Sequence, residues 1–227
     1  MSNITLPTKP QQINDDGFKA QFAIENLYPG YGHTFGNSLR RIVLSSIPGV
    51  AVTTVQIDGV DHEYSVIDGV KEDVVTILLN LKRVVFRLEG ADEIECTLKV
   101  NGDKQYTAAD VDAPSEVEIV NPETPIVKVN DKKASFNITF TVKRGIGYVA
   151  KEDLHEGKLP VGLLVMDTSF TPIRRVTYEV ENMRVGDRTD FNKIIMYIET
   201  DGTLTPQEVL DQSLGIMHEQ IGAMIGA

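Results

Sequence analysis

The sequence predicts an α+β fold, and three observations carry that expectation. Phe18, Ala20, Phe22 and Ile24 alternate with Lys19, Gln21, Ala23 and Glu25, the period of two that turns one face of a strand toward a core. Between residues 84 and 142, short β-type runs are separated by turn formers. Near the end, Thr205-Pro206-Gln207-Glu208 opens a helix, with an N-cap hydroxyl, a proline at the first helical position and a glutamate completing a capping box.

The elements follow in order. The first 17 residues are polar with two prolines and read as a loose arm. A strand over 18–25 is broken by Tyr28-Pro29-Gly30-Tyr31-Gly32, and a helix over 34–46 is stopped by Pro48-Gly49. Residues 51–58 are rich in β-branched types and end in a turn at Asp58-Gly59. A second helix is expected over 70–83, with Lys71, Glu72 and Asp73 in its first turn. Runs at 84–89, 94–100, 117–120, 125–129 and 134–142 then form a compact β-rich unit, with Gly90, Asn101-Gly102 and Asn130-Asp131 as breakers. A polar loop at 150–160 precedes strands at 173–181 and 193–199 and a turn at Asp201-Gly202.

Composition narrows the function. With 227 residues there is room for one or two domains, and 41% hydrophobic content suffices for a packed core. Charge is −11, from 22 Lys and Arg against 33 Asp and Glu, with a pI near 4.8. So acidic a chain is poorly suited to broad contact with nucleic-acid phosphates, and it lacks the basic face of a peripheral membrane binder. The single cysteine, Cys96, excludes an internal disulfide and fits a reducing compartment. The N-terminus has no apolar signal core, and no stretch approaches 18 apolar residues. A soluble, cytoplasmic, globular protein is expected.

Chemical motifs are sparse. Gly30 to Gly36 follows a strand and opens a helix, as dinucleotide loops do, but the spacing is G-x-G-x-x-x-G. Either the loop cradles a phosphate, or its glycines form a turn and let the helix pack closely at Gly36; the spacing favours packing. His33, His62, His155 and His218 are scattered without zinc-type spacing. Asp58, Asp61, His62 and Glu63 could be drawn as a metal site, but they straddle a turn and read better as a solvated hairpin. No catalytic, cofactor-binding or metal-binding residue is assigned.

The helices say more. On 34–46, Phe35, Leu39, Ile42 and Ser46 form the inner stripe, while Asn37, Arg40, Arg41 and Leu44 lie opposite. A leucine beside two arginines suits a small partner contact as well as ordinary surface. On 70–83, Val70, Val74, Ile77 and Leu81 form the core stripe, and Val75 and Leu79 form a second stripe with Lys82 alongside. In the last helix, Leu210, Leu214, Met217, Ile221 and Met224 recur at heptad spacing. Val209, Ile216 and Ile225 widen that apolar arc beyond one packing surface, and Gly215, Gly222 and Gly226 permit close approach. Burial within a monomer and association of subunits are both open; the terminal position favours association.

Several segments resemble the α subunit of bacterial-type RNA polymerase, in its N-terminal assembly portion. They are GYGHTFGNSLRRIVLSSIPG (30–49), IDGVDHEY (57–64), GVKEDVVTILLNLK (69–82), RGIGYV (144–149), DTSFTPIRRVTYEVE (167–181) and VGDRTDFNKIIMYIETDGT (185–203). The resemblance implies a discontinuous dimerisation domain at 1–48 and 172–227, with a mostly β domain inserted at 49–171. It implies a homodimer on which the β and β′ subunits assemble, with the catalytic metal ions and aspartates in β′ and no cofactor here. The dimer interface would use Phe35, Leu39, Ile42, Leu210, Leu214, Met217, Ile221 and Met224. The LRRI arginine and the leucine three residues on, Arg41 and Leu44, would contact β. Lys82, the turn Ser169, Phe170, Thr171, Pro172 and Ile173, and Lys193 of the RTD-x-x-K stretch would contact β′. The family's C-terminal DNA-binding domain is expected to be absent from this chain, so direct nucleic-acid contact is not expected.

Overall fold

The computed structural model describes residues 4–154 and 160–226. In chain order the elements begin β1 (Gln11–Asp15), β2 (Lys19–Leu27), α1 (Tyr31–Ser46), β3 (Pro48–Ile57), α2 (Val74–Leu81), β4 (Phe86–Leu88) and β5 (Glu93–Asn101). Next come β6 (Gln105–Thr107), a 3₁₀ turn at Ala108–Asp110, β7 (Val111–Asp112), β8 (Val117–Ile119), β9 (Pro125–Lys128), β10 (Ser135–Ile146) and β11 (Tyr148–Val149). The chain ends with α3 (Lys151–Leu154), β12 (Leu163–Val165), β13 (Thr168–Ser169), β14 (Ile173–Val185), β15 (Arg188–Thr200) and α4 (Pro206–Ile225). The fold is α+β. The chain divides into two compact units, Met1–Ile47 with Thr171–Ala227, and Pro48–Phe170.

The first unit is an antiparallel sheet of order β1-β2-β15-β14 with α1 and α4 on one face. Register explains why that face is apolar. Ile24 pairs with Ile194 and Ile194 with Val180; Phe22, Met196 and Tyr178 align likewise, as do Ala20, Ile198 and Val176. These rows pack against Leu39 and Val43 of α1 and Val209 and Leu210 of α4. The opposite face is polar and tied by ion pairs, Lys19 to Glu199 at 3.2 Å and Lys193 to Glu25 at 3.2 Å.

The second unit is built on the antiparallel sheet β12-β3-β10-β5-β7, with small two-stranded sheets β4-β8, β6-β9 and β11-β13. Its core joins Val55, Ile57, Leu98, Ile138 and Phe140 of the sheet to Val74, Ile77, Leu78 and Leu81 of α2.

Four expectations are corrected. The first 17 residues are not all a loose arm: Gln11–Asp15 pair with β2 as an exposed edge strand. The first helix starts at Tyr31, three residues early, because Gly30 turns the chain with φ +86°. Pro48 and Gly49 stop that helix, as read, but already belong to β3. The second helix begins at Val74 because Asp73 caps it, its carboxylate accepting from the Thr76 N–H at 2.9 Å. Val70 instead bridges Val129, so the buried stripe is Val74, Ile77, Leu78 and Leu81. The loop expected at 150–160 contains α3, and its residues 155–159, His155 among them, lie outside the described residues.

Candidate functional site

The glycine loop before α1 serves packing. The Asn192 side-chain oxygen accepts from the Gly30 N–H at 2.9 Å and the Gly32 N–H at 3.2 Å, so a side chain from β15 occupies the helix N-terminus. That is where a phosphate would have to sit. A Cβ at Gly32 would stand 2.6 Å from Val180, and one at Gly36 would stand 2.5 Å from the Tyr178 ring. Both glycines therefore bring α1 down onto β14.

That close approach fixes which side of α1 faces out. Gly32, Gly36, Leu39 and Val43 form the buried stripe; Phe35 and Ile42, read as innermost, are half-buried at its flanks. Leu39 has no surface left for a second chain. On the outer face the two arginines differ. Arg40 donates to Asn37 at 3.1 Å and its guanidinium lies over the Tyr178 ring at 5.8 Å. Arg41 is exposed, and no hydrogen bond or ion pair engages its guanidinium among the described residues; Leu44 is exposed one turn on.

α4 changes character along its length. Pro206, Val209, Leu210 and Ser213 are buried in the protomer, so Leu210 is a core residue and not a surface contact. Leu214, Ile216 and Met217 are half-buried, and Ile221, Met224 and Ile225 are exposed. The capping box at Thr205 and Glu208 forms as the sequence indicated, holding the buried end in place. Isolated exposed apolar residues are ordinary, but three together at the end of a helix form a patch.

The remaining contact candidates fall in both units. In the first unit Lys193 lies on the polar sheet face, paired with Glu25, and Pro172 and Ile173 are buried. In the second unit Phe170 is buried, its ring within 2.6 Å of where a Gly145 Cβ would be. Phe170, Pro172 and Ile173 are therefore core residues and not surface contacts, and Ser169 and Thr171 retain surface. Lys82 is exposed at the end of α2 beside exposed Leu79.

Electrostatics add anchoring rather than catalysis. The hydrogen bond from Lys19 holds the Glu199 carboxyl below the usual carboxylate range and raises the Lys19 ammonium. The same pairing between Arg188 and Asp190, bonded at 3.0 and 2.7 Å, lowers Asp190. Burial pushes the Cys96 thiol up to about 11, the behaviour of an inert core cysteine. Asp58 accepts from the N–H and side-chain amide of Asn137 on β10, and His62 shares a hydrogen bond with Ser65, so Asp58 is tied to the sheet and His62 to its own loop. Among the described residues no group of three or more His, Cys, Asp or Glu is placed to hold a metal. Among the described residues no helix is long and apolar enough to cross a membrane.

Asn192 and Tyr178 were not singled out from sequence. Neither carries a local signal, because each acts on a helix far away in the chain. Only the pairing of glycines at 32 and 36 hinted that large side chains lie beneath α1.

With the helix N-terminus filled by Asn192, the surface features left on the two helices are an exposed apolar end on α4 and an exposed arginine and leucine on α1. The comparisons show the family. Residues 55–171 match the model of the RNA polymerase Rpb3/RpoA insert domain. The chain is 43% identical over 214 residues to the DNA-directed RNA polymerase subunit alpha of Alkaliphilus oremlandii (strain OhILAs), covering 94% of this chain and 67% of that protein. The chain belongs to the RNA polymerase α-subunit family.

Proposed function

We propose that this chain is a non-catalytic assembly subunit of a DNA-directed RNA polymerase, a homodimer on which the β and β′ subunits gather. Family membership gives the enzyme. The observation that supports the scaffold role is the exposed end of α4, which leaves Ile221, Met224 and Ile225 in water in a single protomer. A second copy covers them. The unit formed by Met1–Ile47 and Thr171–Ala227 is the dimerisation domain, and Pro48–Phe170 is the inserted domain. Phe35 and Ile42 of α1 join Leu214, Met217, Ile221 and Met224 of α4 in the interface.

On the dimer, Arg41 and Leu44 of one protomer hold β. The guanidinium forms charge-assisted bonds to a carboxylate or to carbonyls, and Leu44 keeps water from them. The other protomer meets β′ through Lys82, Ser169, Thr171 and Lys193. Lys193 would then exchange or share its pairing with Glu25. Nucleotide addition belongs to the assembled complex, in the cytoplasm, and this chain's acidic surface is set apart from the template. Light scattering on the purified chain tests the reading: a dimer at micromolar concentration is expected, and a strict monomer contradicts it.

A further inference from the structure

The second unit contains a cleft of about 520 Å³ between α2 and the edge strand β12. β12 ends its sheet, with β3 as its neighbour on one side. Leu163, Leu164 and Val165 pair with Gln56, Val55 and Thr54, and the Met166 N–H extends the ladder to the Thr53 carbonyl at 3.0 Å. In an antiparallel pair alternate residues turn their N–H and C=O toward the partner. Since Met166 faces β3, Leu164 does too, and Val165 turns its backbone groups toward the edge that no other strand pairs with among the described residues. Val165 also lines the cleft.

The opposite wall is apolar. α2 contributes Val75, Leu78 and Leu79, and Leu79 is exposed while Val74, Ile77, Leu78 and Leu81 of the same helix are buried. Exposed Tyr64 stands on the rim. An edge strand with free backbone groups beside an apolar helix wall is the geometry in which extended segments add as an extra strand; main-chain bonds supply affinity and alternate side chains supply specificity. The charged lining favours one chemistry. Asp61, Glu63, Glu152 and Asp167 outnumber Lys82 and Lys151, leaving an acidic excess that suits a basic guest.

We propose that this cleft receives an extended segment of a large polymerase subunit, added beside β12, with apolar side chains against Val75 and Leu79 and Lys or Arg facing the acidic rim. The inference rests on the scaffold reading above and deepens it. A point contact at Lys82 becomes a strand-addition site.

Hydrogen exchange on the chain, alone and in the complex assembled with β and β′, tests it. The Val165 amide slows at least tenfold in the complex, in one or both copies of the chain. Val165→Pro deletes that N–H and leaves the Leu164 and Met166 bonds to β3 intact; it lowers complex yield at least tenfold while dimer and circular dichroism remain unchanged. Should that variant not fold, Leu79→Glu on the exposed wall replaces it, with the same loss expected. A complex that forms with unprotected Val165, or that tolerates a folded variant fully, overturns strand addition and leaves the scaffold reading standing. Failure of the wild-type chain to form a complex overturns both.

Discussion

Replacing Ile221 and Met224 by aspartate should separate the dimer without unfolding the protomer. Ile221 is 42% exposed, Met224 81% and Ile225 75%, together about two whole apolar side chains per protomer. At about 2 kcal/mol for each fully buried side chain, two protomers gain roughly 8 kcal/mol by covering these residues. A two-fold interface uses each residue twice, so every change counts double. Removing the Ile221 and Met224 share loses about 5 kcal/mol per dimer, before any cost of enclosing four carboxylates in an apolar seam. The dissociation constant should therefore rise at least about 10³-fold. Sedimentation velocity at micromolar concentration reads this as a shift from dimer to monomer. Circular dichroism should keep its helical signal, because Leu39, Val43, Val209 and Leu210 still fill the protomer core. A folded double variant that sediments as a dimer would refute the assignment of this patch.

Other outcomes follow from the same geometry. Arg41→Ala should leave the dimer intact and sharply reduce capture of β on co-expression, whereas Arg40→Ala, whose guanidinium is engaged by Asn37 and Tyr178, should have the smaller effect on capture. Gly36→Ala should destabilise the chain by about 1–3 kcal/mol, read as a lower urea midpoint, because the new methyl group meets the Tyr178 ring. Cys96, fully enclosed with its thiol near 11, should resist alkylation at neutral pH until the chain is unfolded. Acid should weaken the fold. Asp73 is held low by hydrogen bonding to Thr76, Asp190 by Arg188, and Glu199 by Lys19. Depressed carboxyls stabilise above their unfolded values and lose that contribution as pH falls through the folded ones, so the urea midpoint should drop below about pH 4. A midpoint flat from neutral pH to that range contradicts these pairings.

Local signals in the sequence were reliable where the physics is local. The Thr205 capping box, the alternation of Ala20, Phe22 and Ile24 in β2 and the β-rich middle depend on neighbours in the chain, and each forms, although Phe18 precedes the strand and is exposed and Ala23 is buried on its other face. Signals that depend on distant partners were misread. Phe35 and Ile42 have helical spacing suited to a buried stripe, but Gly32 and Gly36 rotate α1 so that the stripe runs through Leu39 and Val43. Asn192 caps a helix 160 residues earlier, an arrangement no window of sequence reveals. Val70 matches the apolar period of α2, yet Asp73 starts the helix after it. The heptad in α4 was legible as a pattern. Its division into a buried half and an exposed half was not, because Leu210 and Ile221 look alike in sequence and differ only in what the fold packs against them.

Native mass spectrometry of this chain co-expressed with β and β′ tests the central claim most directly. The account predicts a complex with two copies of this chain and one of each large subunit, lost when the dimer is split by the Ile221 and Met224 changes. Recovery of β–β′ without this chain, or of a complex holding a single copy, would contradict it.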